Sequence, residues 1–241
     1  MSPTNTVIII GGSTGLGRQL ALLYAERGCR VLISGRRTEK LQEVRSRFPE
    51  RIACYPMDIT DTETTSRTFD RMAEDSPEVG LIIVSAGTGE LNPELNFGTD
   101  RPTLLTNVVG WTNIVNRAFN RLAAQGHGQL AVITSVGGLR GSGDAPAYNA
   151  SKAYQMNYLE GLRQRACKSH AGICLTDIRP GLVDTAMAKG EGLFWVMPVE
   201  KTARQILHAL DRKRETAVVT RRWRLMAFLL RHLPAAFYKR M

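Results

Sequence analysis

The sequence lacks the cysteine spacings that mark a disulfide framework or a metal site. Its four cysteines, Cys29, Cys54, Cys167 and Cys174, include no C-x-x-C pair and form no ligand pattern with the four histidines. Small apolar thiols of this kind are typical of a reducing compartment, so we expect a cytoplasmic protein without a metal. No apolar run approaches the roughly 18 residues of a membrane-spanning helix. The run after the N-terminus, 7–10, is too short for the core of a signal peptide.

Acidic residues are scarce at the C-terminal end. Residues 212–241 hold nine lysines and arginines and one acid, Glu215, and so carry a net charge of +8 out of +10 for the whole chain. The other 211 residues are therefore nearly neutral, which argues against an enzyme of nucleic acids. The chain of 241 residues, with 43% hydrophobic and 22% charged residues, suits one globular domain with a full core.

A tyrosine and a lysine four residues apart stand at the start of a predicted helix. Tyr148 and Lys152 share one face at that spacing. A cation beside a phenol favours the phenolate, so we expect Lys152 to lower the tyrosine pKa from about 10. Ser135 ends an apolar run and precedes glycines that turn the chain back toward Tyr148. Taken alone, the pair is an ordinary helix pair, and its meaning depends on the rest of the chain.

A glycine-rich turn follows the first apolar run directly. The segment GGSTGLG at 11–17 lies between a short β-branched stretch and a helical one. Gly11 permits the tight turn, Gly15 lets the backbone approach a pyrophosphate, and Gly17 allows close packing of helix on strand. The alternative is a βα turn whose three glycines have no such purpose.

Two arginines follow the second apolar run. Gly35 occupies the position where an acid would bind the 2′-hydroxyl of a ribose, and Arg36 and Arg37 come next. A guanidinium there can hold a 2′-phosphate, which favours NADP(H) over NAD(H). The alternative is a solvated basic loop. Asp58, after the third run, either accepts a hydrogen bond from an adenine amino group or serves the helix that starts near Thr60.

Strands and helices alternate along the whole chain, which predicts a parallel sheet. We expect a single-domain Rossmann-type doubly wound parallel sheet of about seven strands with helices on both faces, over residues 1–220. Residues 221–241 form a basic tail. The predicted strands are 6–10, 30–34, 51–56, 81–84, 130–134, 173–178 and 216–220, and the predicted helices are 18–27, one from about 60, 102–124, 148–168 and 199–212.

These motifs, taken together and in order, resemble the short-chain dehydrogenase/reductase family over nearly the whole chain. Its T-G-x-x-x-G-x-G appears as IGGSTGLG at 10–17, N-N-A-G as VSAG at 84–87, and P-G-x-x-x-T as PGLVDT at 180–185. The chain departs from the family at Ile10 and at Val84-Ser85, positions that tie strands and turns together, so the departures concern stability more than chemistry. The catalytic asparagine, serine, tyrosine and lysine of the family match Asn107, Ser135, Tyr148 and Lys152.

The resemblance implies a role for each matched residue. Tyr148 would pass a proton to a carbonyl oxygen that Ser135 holds, while Lys152 would hold the nicotinamide ribose and lower the tyrosine pKa. Asn107 would position a water linking Lys152 to solvent; on sequence alone it is a helix asparagine without a task. A homo-dimer or tetramer is expected through the helices at 102–124 and 148–168. The residues expected at NADP(H) are Gly11, Ser13, Thr14, Gly15, Leu16, Gly17, Arg36, Arg37, Asp58, Ile59, Ala86, Gly87, Tyr148, Lys152, Pro180, Gly181, Val183 and Thr185.

The substrate loop is expected at 185–198. Its apolar side chains favour an apolar or lipid-like carbonyl compound or alcohol, although Lys189 and Glu191 interrupt them. The alternative is that they only pack the following helix or a subunit interface. The apolar residues are Met187, Leu193, Phe194, Trp195, Val196 and Met197.

The tail reads as a basic amphipathic helix that Pro234 ends. Such a helix with an aromatic anchor suits an anionic membrane surface, so a peripheral membrane contact or another protein partner is one expectation. The other is that its apolar face packs on its own domain or across a dimer. The apolar face holds Trp223, Met226, Ala227, Leu229, Leu230 and Leu233; Arg221, Arg224, Arg231 and His232 lie opposite.

Two classes of function are compatible with these patterns. The first is an NADP(H)-dependent oxidoreductase acting on CH–OH and C=O groups. The second is a non-catalytic dinucleotide-binding sensor or scaffold that docks through its C-terminal tail. The complete set of Ser135, Tyr148 and Lys152 favours the enzyme, because a protein without turnover has no need of it.

Overall fold

The computed structural model describes residues 6–185 and 194–240, which contain a seven-stranded parallel sheet. The strand order is β3-β2-β1-β4-β5-β6-β7, and each neighbouring pair is parallel. The predicted doubly wound fold is confirmed. The strands are β1 (Thr6–Ile10), β2 (Arg30–Gly35), β3 (Ile52–Pro56), β4 (Leu81–Val84), β5 (Gly128–Ile133), β6 (Ile173–Pro180) and β7 (Thr216–Val219).

The helices differ from the predicted ones in three places. The helices over 38–45 and 235–238 were not predicted, and the long helix expected over 102–124 is two α-helical segments, 97–104 and 111–125, joined by a π-helical turn, Leu105–Gly110. Gly110 lies so close to the carbonyl of Ile59 that a β-carbon would collide with it. The helices are α1 (Gly15–Glu26), α2 (Thr38–Arg45), α3 (Thr62–Glu74), α4 (Phe97–Leu104), α5 (Trp111–Gln125), α6 (Pro146–Lys168), α7 (Val199–Asp211), α8 (Arg221–His232) and α9 (Ala235–Tyr238).

Apolar side chains cover both faces of the sheet, as its parallel strands require. Val7 and Ile9 point to the face covered by α1 and α7, whereas Ile8 points to the face covered by α3, α5 and α6. Trp111 is the largest fully buried side chain of the second face. The sheet is thereby fixed between two helical layers, and its carboxyl edge carries the loops.

The two departures from the family pattern are compensated by packing. Ile10 and Val84 are register partners on β1 and β4, and both are fully buried in one core cluster. The main-chain carbonyl of Ile10 accepts the N–H groups of Ser85 and Ala86 at 2.8 and 2.9 Å. Apolar contact and main-chain bonds thus join the strand to the turn.

The C-terminal tail is helical and packs on the domain. Trp223 and Ala227 of α8 are buried against Val136 and Leu182, whereas Leu229, which the sequence placed on the same face, is half exposed. Within residues 6–185 and 194–240, no helix is long and apolar enough to cross a membrane. The side chain of Arg221 lies outside the described part.

Candidate active site

Ser135, Tyr148 and Lys152 come together at the carboxyl end of β5. Oγ of Ser135 accepts the N–H of Gly137 at 3.0 Å. The Ser135 side chain also interacts with the phenol of Tyr148 and acts to lower the pKa of that phenol. One turn along α6, Nζ of Lys152 lies 5.8 Å from the centre of the Tyr148 ring. The structure thus brings together the three side chains that the sequence selected.

Burial dominates the ionisation of Tyr148. Removal from water raises the pKa of the phenol, and the hydrogen bond from Ser135 offsets only part of that rise. Burial also lowers the pKa of Lys152 to about 8, against an attraction from Asp177 that favours the ammonium. The predicted net lowering of the Tyr148 pKa is wrong for this arrangement, because desolvation of the phenol outweighs the groups around it.

The ammonium of Lys152 is held by protein acceptors. Nζ donates to the carbonyl of Ile133 at 3.3 Å and to Oε1 of Gln155 at 3.1 Å. Nε2 of Gln155 in turn donates to the main-chain carbonyl of Asn107 at 2.9 Å. Lys152, Gln155 and Asn107 are all buried. The Gln155 side chain thus joins Lys152 to the main chain of Asn107, the residue that the resemblance expects to position a water for Lys152.

The side chain of Asn107 fastens the loop after β4 to α6. Its Oδ1 accepts the N–H of Thr88 at 2.9 Å, and its Nδ2 donates to the carbonyl of Thr88 at 2.7 Å and to Oγ of Ser151 at 3.0 Å. A β-carbon at Gly87 would lie 3.3 Å from both Oδ1 of Asn107 and Nζ of Lys152. Asn107 therefore fixes the position of the loop that packs beside Lys152.

The glycine-rich turn has the conformation that a phosphate cradle requires. Gly11 has φ +88°, and a β-carbon there would come within 2.6 Å of the Ala86 nitrogen; at Gly17 it would collide with the carbonyl of Gly11. Gly15, with φ +56°, begins α1, and a β-carbon there would lie 3.5 Å from the Thr185 side chain. The first N–H groups of α1 thus face an open turn, where an anion is favoured.

The end of β2 lies beside this turn. A β-carbon at Gly35 would be 3.1 Å from Oγ of Ser13, so the glycine keeps the strand close to the cradle. Arg36 and Arg37 are exposed, and Nη2 of Arg37 donates to Oγ1 of Thr14 at 3.1 Å. Arg36 and Arg37, the two predicted cations, therefore follow β2 directly, beside the glycine-rich turn.

Asp58 serves the turn that leads into α3. Its Oδ1 accepts the N–H and the hydroxyl of Thr60 at 3.0 and 2.8 Å. The N-cap of α3 is Asp61, which accepts the N–H of Thr64. The side chain of Ile59 is buried in the core, so this residue presents only its main chain to the edge.

The segment after β6 is hydrogen-bonded to the C-terminal end of the predicted substrate loop. Val183 is buried, and the N–H of Asp184 donates to the carbonyl of Met197 at 2.9 Å. The N–H of Met197 donates back to Leu182 at 3.0 Å, so the loop returns to its own start. The predicted loop residues Met187, Lys189, Glu191 and Leu193 lie outside the described residues.

The described end of the loop packs on α8. Phe194 stacks on Trp223 with ring centres 5.6 Å apart, and Trp195 meets the same indole edge-on at 6.4 Å. Nε1 of Trp223 donates to the carbonyl of Trp195 at 3.3 Å. These aromatic side chains therefore join the substrate loop to the tail, a contact that the sequence did not predict.

Several buried polar residues of the site were not predicted. Gln155 carried a usable signal, since it falls at the apolar spacing that continues with Leu159 and Leu162 on α6. Asp177, which is bonded to Thr134 and paired with Arg179 at 2.6 Å, looked like an ordinary strand residue. Further unpredicted members are Gly12, against Ile33; Gly89, against the Tyr148 ring; Thr88; and Ser151.

Comparisons with known proteins agree with this geometry. The family model described as short chain dehydrogenase matches residues 5–193. An uncharacterised oxidoreductase of Mycobacterium tuberculosis (strain H37Rv) is 29% identical over 223 residues, 88% of this chain and 87% of that protein. A short-chain dehydrogenase from Burkholderia cenocepacia in complex with NADP has a TM-score of 0.85 at 22% identity, covering 100% of this chain and 98% of that one. One from Sphingobium yanoikuyae in complex with NADPH has a TM-score of 0.79 at 22% identity, covering 96% and 97%. The chain belongs to the short-chain dehydrogenase/reductase family of oxidoreductases.

Proposed function

We propose that this protein is an NADP(H)-dependent oxidoreductase that interconverts an apolar carbonyl compound and its alcohol. The observation that carries the proposal is the contact of Ser135 and Lys152 with Tyr148 at the same sheet edge as the open turn at Gly15. Bound nicotinamide would exchange a hydride with the carbonyl carbon. The chain's own groups would then handle the carbonyl oxygen.

Tyr148 passes the proton. In reduction its phenol gives a proton to the carbonyl oxygen, and in oxidation the phenolate takes it back. The raised pKa of Tyr148 keeps the phenol protonated at neutral pH, which suits reduction. Ser135, oriented by the N–H of Gly137, holds the same oxygen. Lys152, with a pKa of about 8, is mostly an ammonium at pH 7 and stabilises the phenolate as it forms.

The residues at the cradle fit a phosphorylated dinucleotide. The N-terminus of α1 favours a pyrophosphate, and Gly35 leaves the end of β2 without a carboxylate that would repel a 2′-phosphate. Arg36 and Arg37 supply the opposite charge within reach of Thr14. The complexes of NADP and NADPH with proteins of the same fold support this choice.

An apolar substrate follows from the described end of the substrate loop. Phe194 and Trp195 are 50% and 39% exposed, although both rest on the buried Trp223. Aromatic surface that stays accessible beside a catalytic edge favours an apolar ligand. We therefore expect ketones, aldehydes or alcohols with a hydrocarbon or aromatic body.

A panel of such compounds tests the proposal. The purified full chain is mixed with NADPH and each carbonyl compound, and the loss of NADPH absorbance is followed. Turnover of apolar members supports the enzyme. Tight NADPH binding without turnover of any member would instead support the sensor or scaffold.

We also propose that the outer side of the tail contacts an anionic membrane surface. Trp223 and Ala227 form the side of α8 that packs on the domain. The opposite side combines exposed apolar and basic residues, which suits the headgroup region of anionic lipid. These residues are Leu225 and Phe228, each 61% exposed, and the exposed Arg231, with Phe237 of α9, 64% exposed. Arg222 and Arg224 are also exposed but reach back to the Trp195 ring and to the carbonyl of Val218.

A further inference from the structure

Gln155 occupies a place in the active site where an apolar residue would complete the helix pattern. It lies three residues after Lys152 on α6 and is fully buried, on the face that Leu159 and Leu162 continue into the core. A buried amide costs stability unless both of its ends are bonded. Both ends of Gln155 are bonded, and each bond goes to a residue of the site.

The two bonds fix the orientation of the amide. Oε1 must face Lys152 because an ammonium only donates, and Nε2 must face Asn107 because a carbonyl only accepts. A carboxylate of the same shape would satisfy the lysine but not the carbonyl. An apolar side chain of the same length would satisfy neither. Among the natural side chains of this length, the amide alone meets both demands.

We propose that Gln155 is a positioning residue that joins the ammonium of Lys152 directly to the main-chain carbonyl of Asn107. The resemblance has Asn107 position a water that links Lys152 to solvent, whereas in this chain the Gln155 amide lies between the Asn107 carbonyl and Lys152. The amide also cannot pass on a proton as a water can, since at neutral pH it keeps the protons that it donates.

The charged and titratable groups that face Lys152 are few. Tyr148 lies one turn before it on α6, and Asp177 faces it from β6, already bonded to Thr134 and Arg179. From β5 and the π-helical turn only neutral groups approach, the carbonyl of Ile133 and the Gln155 amide held by Asn107. A substitution at position 155 therefore changes one neighbour of Lys152 and leaves these other groups in place.

The test follows the ionisation of Lys152 by NMR in the protein without cofactor. The lysine side-chain signal is assigned by its loss in Lys152→Met, and its titration is compared in two variants of opposite effect. Gln155→Met removes the acceptor and should lower the Lys152 pKa by about one unit, the value of one charge-assisted hydrogen bond. Gln155→Glu keeps the shape and adds a negative charge, so it should raise the pKa.

Gln129→Met is the matched control. Gln129 is also a buried glutamine, but its Nε2 donates to Thr176 at 2.8 Å, and Lys152 is not among its bonded partners. The control should lose stability without moving the Lys152 titration. Equal titrations in the parent and both Gln155 variants, or shifts of the same sign in the two, would overturn the proposal. If Gln155→Met does not fold, the sign of the Gln155→Glu shift decides.

The kinetic consequence rests on the proposed function, whereas the NMR test does not. The alkaline limb of kcat/KM should move down by about one pH unit in Gln155→Met and up in Gln155→Glu. At pH 9 a shift from about 8 to about 7 lowers the ammonium fraction roughly ninefold. If the two Gln155 variants shift the Lys152 pKa in opposite directions but the protein reduces no carbonyl compound, the Gln155 inference stands and the proposed enzymatic function is rejected.

Discussion

The indole of Trp223 lies against Gly181, leaving no room for a β-carbon at that glycine. Trp223 is 5% exposed and belongs to one cluster with Val136, which follows Ser135, and with Leu182. The tail helix α8 therefore connects the turn that carries Ser135 with the segment after β6. Both segments border the candidate site, and Trp223 packs against both of them.

Trp223→Ala should lower the free energy of unfolding by about 3–5 kcal/mol, because it opens a large cavity beneath the loop. Urea denaturation of the full chain measures the loss. Phe228→Ala, on the exposed side of the same helix, serves as the control and should change stability by less than about 0.5 kcal/mol. Equal losses in the two variants would show that α8 does not pack on the domain as described.

Full-length protein should bind vesicles that contain phosphatidylserine at low salt and release them as salt rises, because the contacts are partly electrostatic. Vesicles of phosphatidylcholine alone are the neutral control. Leu225→Ser combined with Phe228→Ser should weaken binding while the melting temperature stays near that of the parent, since both side chains are exposed. A full chain that ignores anionic vesicles at low salt leaves the tail with its packing role alone.

Tyr148→Phe should keep NADPH binding and the melting temperature but lose on the order of 10²–10⁴-fold in kcat, the range for removal of a general acid. The phenyl ring retains the shape and loses only the hydroxyl that Ser135 contacts. Stopped-flow absorbance with a substrate of the parent measures the loss, and tryptophan fluorescence measures cofactor binding. Near-normal turnover would remove Tyr148 from the mechanism.

Arg36→Ala should weaken NADPH binding by about 1.5–3 kcal/mol and NADH binding far less, because only NADPH carries the 2′-phosphate. Calorimetric titration of both cofactors gives the two differences. Arg37→Ala is the companion variant and should have the smaller effect, since its guanidinium is already bonded to Thr14. Equal losses for the two cofactors would show that Arg36 does not read the phosphate.

The buried Lys152 makes stability depend on pH. Its pKa is about 8 in the folded chain and about 10.5 in the unfolded one, so between these values only the unfolded chain holds the proton. The free energy of unfolding from this group therefore rises with pH across that window, by at most about 1.4 kcal/mol per pH unit. Denaturation at pH 7.5 and 9.5 should show a steeper rise in the parent than in Lys152→Met. Parallel slopes would contradict the lowered pKa.

The sequence predicted the strands and the site more fully than the helices. Short continuous runs of β-branched and other apolar residues located all seven strands to within a few residues. A strand of a parallel sheet is covered on both faces, so its residues are apolar throughout. The break in the long helix at Gly110 was missed, because it depends on a contact with Ile59 that no local pattern records. The same holds for Trp223 and Gly181, which lie 42 residues apart in the sequence.

The ionisation of Tyr148 was also beyond the sequence. The spacing of Tyr148 and Lys152 correctly placed them on one face, but the pKa of the phenol depends on how much water reaches it. Burial raises that pKa and outweighs the neighbouring groups. Gln155, the acceptor that holds the ammonium, lies three residues after Lys152 and was not predicted to belong to the site.

The contact between Arg140 and the end of the tail bears on how the protein is best handled. Arg140 lies five residues after Ser135, and its guanidinium donates to the carbonyls of Leu230 and Leu233 and lies 5.0 Å from the centre of the Tyr238 ring. An affinity tag fused at the C-terminus would thus extend from a segment that contacts the loop after Ser135. β1 begins at Thr6, at the opposite edge of the sheet from the glycine-rich turn. We therefore choose an N-terminal tag for substrate screening.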